Sequence, residues 1–591
     1  MDASPVDVVP RPRLGRIFHD TLSGYLRALP AGLRKFWLLV PLTGVAAGLG
    51  AVASVHILQL VQRLAWGRAD FLLEAARAAS PWRRALVPLG AGVLAVLASF
   101  VLRDGGEGHG TSQIIEAIWS RRGRIALRWA IGRGLLSLVI VAMGASLGRE
   151  GALVYFGAAA GSWLGRRFQL DGDQLKLLVA CGASAGIAAA YNTPIGGALF
   201  GLEVFLGGLA LELYGPIIFA SVAATLISRA LLFDHPSYEI PHYRLTHPAE
   251  LAVYLAVGVV LGGVSALFVR TVELTSRLAK AVRPSLRRVL PIFALGLVGV
   301  VGIFYPEVYG NGYDTVNLAL AGTLPLTLLV ILPVLKLVLS SLCASSGAPG
   351  GLFTPSLFVG GLAGGALGSI AHHFMPHVVT QTGGYVLVGM AAILAGSTHA
   401  TLAAALLLFE LTGSYEMILP LLAASVVSTV VSRALATESI YTAPLRRRGV
   451  ELPRMARPAW MQREGVRLLV RDDPVHVRPG APFDDVVLAL ARLADGDDLF
   501  VVDADGRLSG AIPQATVGET LADQPELELI IAADLMRPAP AVSVDASLWE
   551  VTRRALAADS TRLPVVSPRE GNRFVGTIST KDVIAAAAAR P

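Results

Sequence analysis

Long apolar runs separated by short polar breaks dominate the first three quarters of the chain. Stretches at about 37–61, 85–102, 129–147, 213–232, 251–269, 289–305, 323–344, 385–412 and 417–433 each approach the roughly 20 residues a helix needs to cross the hydrocarbon of a bilayer. Shorter stretches broken by glycine or proline, at 109–119, 149–165, 175–190, 193–208 and 352–371, predict half-helices that point inward instead of crossing. Irregular backbone at membrane depth is tolerated only where it lines a cavity or is buried in protein. One break holds Gly148-Arg149-Glu150-Gly151-Ala152, preceded by the apolar 135–147 and followed by no charge as far as Leu164. An aspartate at a helix centre costs about 2.5–3.5 kcal/mol on insertion scales, so an intramembrane carboxylate is a functional candidate by default. Glu150 either faces a wet pathway or neutralises Arg149. Amides of a broken helix that face an aqueous cavity make an anion site.

Two fragments repeat one another. The segment 182–204 aligns without a gap to 389–411, pairing Gly182 with Gly389 and Glu203 with Glu410. A duplicated membrane half places a binding site between the repeats, and 345–357 offers a counterpart to the Glu150 loop. Four stretches combine glycine with sparse polar groups: 108–112, 148–152, 347–355 and the neighbourhood of Tyr441. Glycines also serve close helix packing, but packing alone accounts poorly for four such stretches, one with an Arg–Glu pair. His109 is either a ligand-facing group, able to charge near neutral pH, or a loop residue. Glu203 and Glu410 are expected to bond neighbouring backbone amides, Tyr441 to anchor at the interface, and Lys336 to snorkel or pair. His56 and His399 read as ordinary polar contacts.

Beyond Tyr441 the pattern changes. Arg446-Arg447-Arg448 closes the membrane part, and 450–470 reads as a linker. Two similar α/β units follow, 471–525 and 534–588, with strands such as 499–502 and 563–566 and helices such as 484–494 and 547–558. Ser579, Thr580 and Asp582 sit where a strand ends and a helix opens. They either hold a nucleotide's phosphate and ribose or cap the helix.

Composition agrees with the pattern. Of 591 residues 54% are hydrophobic and 16% charged, with mean hydropathy +0.60; a soluble chain carries about 25% charged residues. This is an integral, mainly α membrane protein. Its net charge of +7 lies in polar flanks and forms no stripe for nucleic acid. Cys181 and Cys343, the two cysteines, fall in apolar segments as small core residues and offer no metal spacing. Residues 1–36 are Pro- and Arg-rich without an apolar core, hence a cytoplasmic segment and no cleaved signal.

The segment 37–449 resembles the CLC family of chloride channels and proton/chloride exchangers. The matching motifs are G-R-E-G at 148–151, G-A-P-G-G-L-F-T-P at 347–355, G-x-G at 108–110 and Ser439-Ile440-Tyr441-Thr442. The tail is similar to a pair of cystathionine-β-synthase-type (CBS) domains, more closely in its second unit. The resemblance implies an inverted-repeat helical fold with a cytoplasmic α/β CBS pair, and a homodimer in the inner membrane with both termini cytoplasmic. It implies one chloride pathway per subunit, gated by Glu150. The anion site it implies is lined by the amides of Leu352 and Phe353 and the Tyr441 hydroxyl, with His109, Gly110, Arg149 and Gly151 completing the set. It requires no cofactor, and gives an adenine nucleotide a place at Ser579, Thr580 and Asp582.

Three departures stand out. His109 replaces a serine whose hydroxyl contacts chloride, Ala152 replaces a proline, and Val204 stands where coupled exchangers carry a second, inner glutamate beside the position of Glu203. In the first CBS unit Thr516 stands where the second has Asp582. The expectation is therefore an anion channel or loosely coupled carrier, not an enzyme, with proton/chloride exchange as the alternative. A divalent-cation transporter would need clustered carboxylates at its pore. A nucleotide sensor on a plain anchor would not need repeated half-helices.

Overall fold

The computed structural model describes residues 31–68, 71–102, 110–208, 211–232, 238–245, 247–450, 465–472, 475–494, 497–523, 529–557 and 561–588. Most of the N-terminal segment and of the linker therefore lies outside the described residues. The chain forms two compact units, Met1–Arg454 and Met455–Pro591.

Among the described residues of the first unit, eight helices are long and apolar enough to cross a membrane. Their outward positions carry bare leucines such as Leu38, Leu42, Leu60 and Leu64, while inward positions are filled by alanine, glycine and serine. Two stretches expected as half-helices are full-length: Gly172–Tyr191 and Phe353–Phe374. Their small residues lower hydropathy without shortening the helix, because these helices pack against protein. Their apolar windows are 83% and 78% buried, against 28% for Pro81–Val101. Conversely, the single span expected at 385–412 is two helices, Thr382–Thr398 and Thr401–Thr412. His399 breaks it, capping the first in the left-handed region at φ 61°.

The two repeats fold alike. Helix Glu150–Arg167 packs on Gly172–Tyr191, and Phe353–Phe374 packs on Thr382–Thr398. In each pair two glycines face one another, Gly157 with Gly182 and Gly360 with Gly389. A Cβ on any of them would strike the partner's carbonyl oxygen, so the aligned glycines mark where backbones touch. Asn192 and His399 end the equivalent helices in the same left-handed conformation. Each then receives an arginine on its carbonyl, Arg229 at 3.5 Å and Arg433 at 3.3 Å.

The paired glutamates tie the repeats together. Glu203 accepts from the amides of Leu402 and Ala403 at 3.3 and 2.8 Å, at the start of Thr401–Thr412. Glu410 accepts from Ile195 and Gly196 at 3.0 and 2.6 Å, at the start of Pro194–Phe200. Each carboxylate thus caps the short helix of the other repeat, satisfying first-turn amides that no helix can satisfy for itself.

The second unit holds two three-stranded sheets of one design, β1-β2-β3 (His476–Val477, Leu499–Val502, Leu508–Ile512) and β4-β5-β6 (Val542–Ser543, Arg562–Ser567, Arg573–Ser579). In each the first pair is parallel and the second antiparallel, and the register slips at the equivalent place, Val501/Val502 and Val565/Val566. The two halves share an ion pair. Arg562 reaches the buried Asp497 at 3.3 Å and lies 5.8 Å over the Phe500 ring, and Thr561 donates to the same carboxylate. Burial pushes the Arg562 guanidinium below its ordinary value.

Two predictions follow from these contacts. Glu203→Ala and Glu410→Ala each lose charge-assisted bonds to two amides, so each will lower stability by about 1–3 kcal/mol and by similar amounts; thermal unfolding in detergent measures both. Asp497→Ala leaves Arg562 without its carboxylate and will cost about 2–3 kcal/mol, short of the ~3–5 of a fully buried pair because 18% of the arginine side chain stays exposed. Amide exchange of 562–567 in the intact protein will speed up accordingly.

Candidate anion site at three helix starts

Three helices begin at one point. They are Gly110–Ser120, Glu150–Arg167 and Phe353–Phe374, the first two opening at the glycine loops singled out in the sequence and the third at its second-half counterpart. Gly148 and Gly351 exchange two backbone hydrogen bonds, amide to carbonyl, at 2.8 and 2.9 Å. The two loops of the inverted halves are therefore one short piece of antiparallel pairing. Gly110 lies against Gly151: a Cβ built on it would stand 3.1 Å from the Gly151 carbonyl oxygen. A Cβ on Gly351 would stand 3.1 Å from the Gly151 amide nitrogen. Only residues without side chains bring three helix starts this close.

The first amides of each helix have no acceptor within their own helix, and the aligned peptides add roughly half a positive charge at each start. Buried apolar rings surround these amides. Phe353 packs against Phe200 and Tyr191, each with centroids 5.3 Å away, and Tyr441 stands 6.3 Å from Phe200. Leu352 and Phe353 are both buried. Tyr441, expected as an interfacial anchor, is instead 3% exposed. Ser112 donates to its carbonyl at 2.9 Å, Thr111 bonds its hydroxyl, and the Ser439 hydroxyl accepts from its amide at 3.3 Å. The structure thus brings Gly110, Gly151, Leu352, Phe353 and Tyr441 into one neighbourhood; His109 lies outside the described residues.

Glu150 is 1% exposed. Its Oε1 accepts a hydrogen bond from the Tyr313 hydroxyl at 2.7 Å. Its Oε2 occupies the space a side chain on Gly148 would need and has no hydrogen-bond partner among the described residues. Arg149 immediately precedes the helix, with its guanidinium 5.3 Å over the Tyr313 ring. Val204 is buried on a π-helical turn, Gly201–Phe205, and Glu203 beside it is engaged as a cap.

Sequence reasoning missed Tyr313, Tyr191, Tyr238, Thr354 and the role of Lys336. Tyr191 shares a 3.2 Å hydrogen bond with Thr354 and lies 3.4 Å from the Tyr313 hydroxyl. Tyr238 stands edge-on to Tyr313 at 5.0 Å. Lys336 neither snorkels nor pairs with an acid. It is 0% exposed, donates to the carbonyls of Val308 and Gly310 at 3.0 and 2.7 Å, and lies 4.9 Å over the Phe358 ring. The available signal was a tyrosine directly after Gly310-Asn311-Gly312.

Two cavities flank the site. One, of about 700 Å³, is lined by Gly110, Gly151 and 347–350 and by Arg133, Lys280, Arg287, Arg288, Arg447 and Arg448; no carboxylate is among its described lining residues. Such a wall raises the local anion concentration. The arginines that ended the membrane part in the sequence are built in here: Arg448 binds Glu116 at 2.7 Å, Arg447 binds Glu273 at 3.2 Å, and Arg446 binds Glu438 at 3.0 Å. The other cavity, of about 160 Å³, meets Arg149, Asn311, Gly312 and Tyr313.

In the tail, the groups expected to hold a nucleotide are already engaged. Arg471 pairs with Asp582 at 2.6 Å, and both the amide and the hydroxyl of Thr580 donate to Thr561.

The profile of a family described as voltage gated chloride channel matches residues 89–433, and that of the CBS domain matches 532–589. A Ralstonia nicotianae protein named as a ClcB-like chloride channel protein is 34% identical over 429 residues, 69% of this chain and 97% of that protein. The voltage-gated ClC-type chloride channel ClcB of Escherichia coli is 33% identical over 412 residues, 68% and 97% of the two. Two solved structures share the fold. A slow cyanobacterial Cl⁻/H⁺ antiporter has TM-score 0.64 at 22% identity, over 70% of this chain and 98% of the other. A eukaryotic CLC transporter has TM-score 0.62 at 18% identity, over 93% and 98%.

Because the Glu150 carboxylate fills the place of a Gly148 side chain, Gly148→Ala will push it off Tyr313 while leaving the 148–351 hydrogen bonds in place. A cryo-EM structure of the variant checks both.

Proposed function

The chain belongs to the voltage-gated chloride channel (CLC) family, and on that footing we propose that it carries chloride, or a similar small anion, past the three helix starts with Glu150 as the gate. The observation that carries this reading is the meeting of Gly110, Gly151 and Gly351, the first two lining a cavity that is also lined by six basic residues, two of them ion-paired. An anion there exchanges water for first-turn amides that are already oriented and need no reorganisation to receive it. The amides of Leu352 and Phe353 and the hydroxyl of Tyr441 are the contacts we assign to it, together with Gly110 and Gly151; His109, next to Gly110 in sequence, is the further candidate. No covalent step is involved.

An ionised Glu150 competes with the anion for these amides, and a protonated one does not. Flux therefore rises as pH falls. Val204 supplies no inner carboxylate and Glu203 is committed to the amides of Leu402 and Ala403, so protons have no second acid to step to. This supports a channel or loosely coupled carrier over strict exchange, and the relatives at 33–34% identity bear the name of chloride channels.

The test is a reconstituted flux and reversal-potential measurement across separate chloride and pH gradients. The expected potential follows chloride alone; a shift with the pH gradient establishes exchange instead. In the same assay Glu150→Gln will give a flux that is high and flat with pH, and a variant that keeps the wild-type pH dependence removes Glu150 from the gate.

A further inference from the structure

The Glu150 carboxylate is not held by the helix-start amides. Its single hydrogen-bond partner among the described residues is the Tyr313 hydroxyl, 2.7 Å from Oε1. We propose that Tyr313 is a berth for the ionised Glu150, a second resting place that competes with the amide cluster and so keeps the anion path unblocked at neutral pH. This rests on Glu150 being the gate.

The geometry has the marks of a prepared acceptor site. A phenol has one proton to give, and the 2.7 Å contact to Glu150 takes it in preference to the 3.4 Å contact to Tyr191. A hydroxyl donating to a carboxylate in a water-poor setting is a charge-assisted bond, stronger than a neutral one. The Tyr313 ring is held before the carboxylate arrives: Tyr238 meets it edge-on at 5.0 Å, Tyr191 at 6.5 Å, and the Arg149 guanidinium covers it at 5.3 Å.

Its backbone is fixed from behind. Tyr313 opens the helix Tyr313–Leu320 after Gly312, which takes the left-handed φ of 81°. Two carbonyls just upstream, Val308 and Gly310, are held by the buried Lys336 ammonium. The Phe358 ring that Lys336 caps also fills the space a side chain on Gly312 would need. Lys336 is thus a positioning residue for the loop that carries Tyr313. A fully buried cation that bonds only carbonyls and a ring is otherwise hard to account for, since intramembrane charges are expensive and kept for use.

The charged and titratable groups around Glu150 are Arg149 on its own helix, Tyr191, Tyr238, Tyr313 and Tyr441. Asp314, next to Tyr313, is turned away and accepts from the Leu73 amide at 3.0 Å. Within this set Tyr313 alone donates to the carboxylate, so its hydroxyl biases where the ionised side chain rests.

Tyr313→Phe keeps the ring and its packing and removes the hydroxyl alone. Chloride efflux from vesicles holding the full-length protein is read from pH 4.5 to 8.5, for wild type, Y313F, E150Q and the double variant. The expected result is a fall of about tenfold in Y313F at the high-pH end, the bias that one charge-assisted hydrogen bond supplies, with the deficit shrinking as pH falls, since a neutral carboxyl needs no berth. In the E150Q background the second substitution changes nothing. Y313F flux equal to wild type at all pH overturns the berth and leaves the gate standing. A fall that is equal at every pH, or that persists in E150Q, shows a merely structural tyrosine and also overturns it. If E150Q itself keeps the wild-type pH dependence, the gate reading fails and the berth with it.

Discussion

Helix starts gathered inside an apolar body are the constraint the rest of the first unit answers to. Three helices start close together inside the protein, where their first N–H groups have no acceptor within their own helix and each start carries a partial positive charge. Left alone, such a point is expensive, since an unpaired polar group in hydrocarbon costs several kcal/mol. In the proposed reading a bound anion relieves it, which is what a transport site needs. The glycine contacts among Gly110, Gly151 and Gly351, and the two hydrogen bonds between Gly148 and Gly351, hold the three starts together without filling the space between them.

The inverted repeat supplies this arrangement economically. Each half brings a glycine-rich loop followed by a long helix and then a second helix that packs on it through facing glycines. Each half also brings a glutamate whose carboxylate caps the other half's short helix. The same chemical problem, surplus helix-start amides at depth, is therefore solved in two ways within one chain. At the short helices it is closed permanently by Glu203 and Glu410. At the long ones no carboxylate is fixed in this way, and in the proposed reading Glu150 contests them intermittently. A carboxylate fixed on two amides is structural; a carboxylate with one bond to a phenol and one oxygen unbonded can move.

How much of this could be read in advance differs by element. The loops were legible, because Gly148-Arg149-Glu150-Gly151 and 345–357 interrupt apolar runs with residues that have no packing reason to be there. The repeat was legible through Gly182/Gly389 and Glu203/Glu410, whose roles as backbone contact and cap explain why those positions pair while the alanines between them align by composition alone. Helix lengths were not. Hydropathy averages over lipid-facing and protein-facing positions, so buried Gly/Ala helices such as Phe353–Phe374 read as fragments, and His399 inside an apolar run gave no sign of a left-handed break. The roles of Tyr313 and Lys336 were not legible for a different reason: their partners lie far away in sequence, so a lysine inside an apolar run and a tyrosine after Gly310-Asn311-Gly312 gave no sign of what they bond. In the tail the CBS profile covers the second unit only, yet both sheets have the same strand order and the same slip in register. Strand pattern survives sequence drift because it needs only apolar residues at buried positions, as in Leu499–Val502 and Arg562–Ser567.

Lys336 shows how the sign of the site is kept. A buried ammonium is ordinarily neutralised by a carboxylate, because attraction in a low dielectric then offsets the lost hydration. A carboxylate close to the anion path would oppose the field that three helix starts and the basic cavity wall create. Here the ammonium is satisfied by two carbonyl oxygens and a ring face, partners that stabilise a cation through dipoles and bring no net negative charge. The loop bearing Tyr313 is fixed without adding a carboxylate, and Glu150, 1% exposed and hydrogen-bonded to that loop, is the acid to which the proposed reading gives the gate.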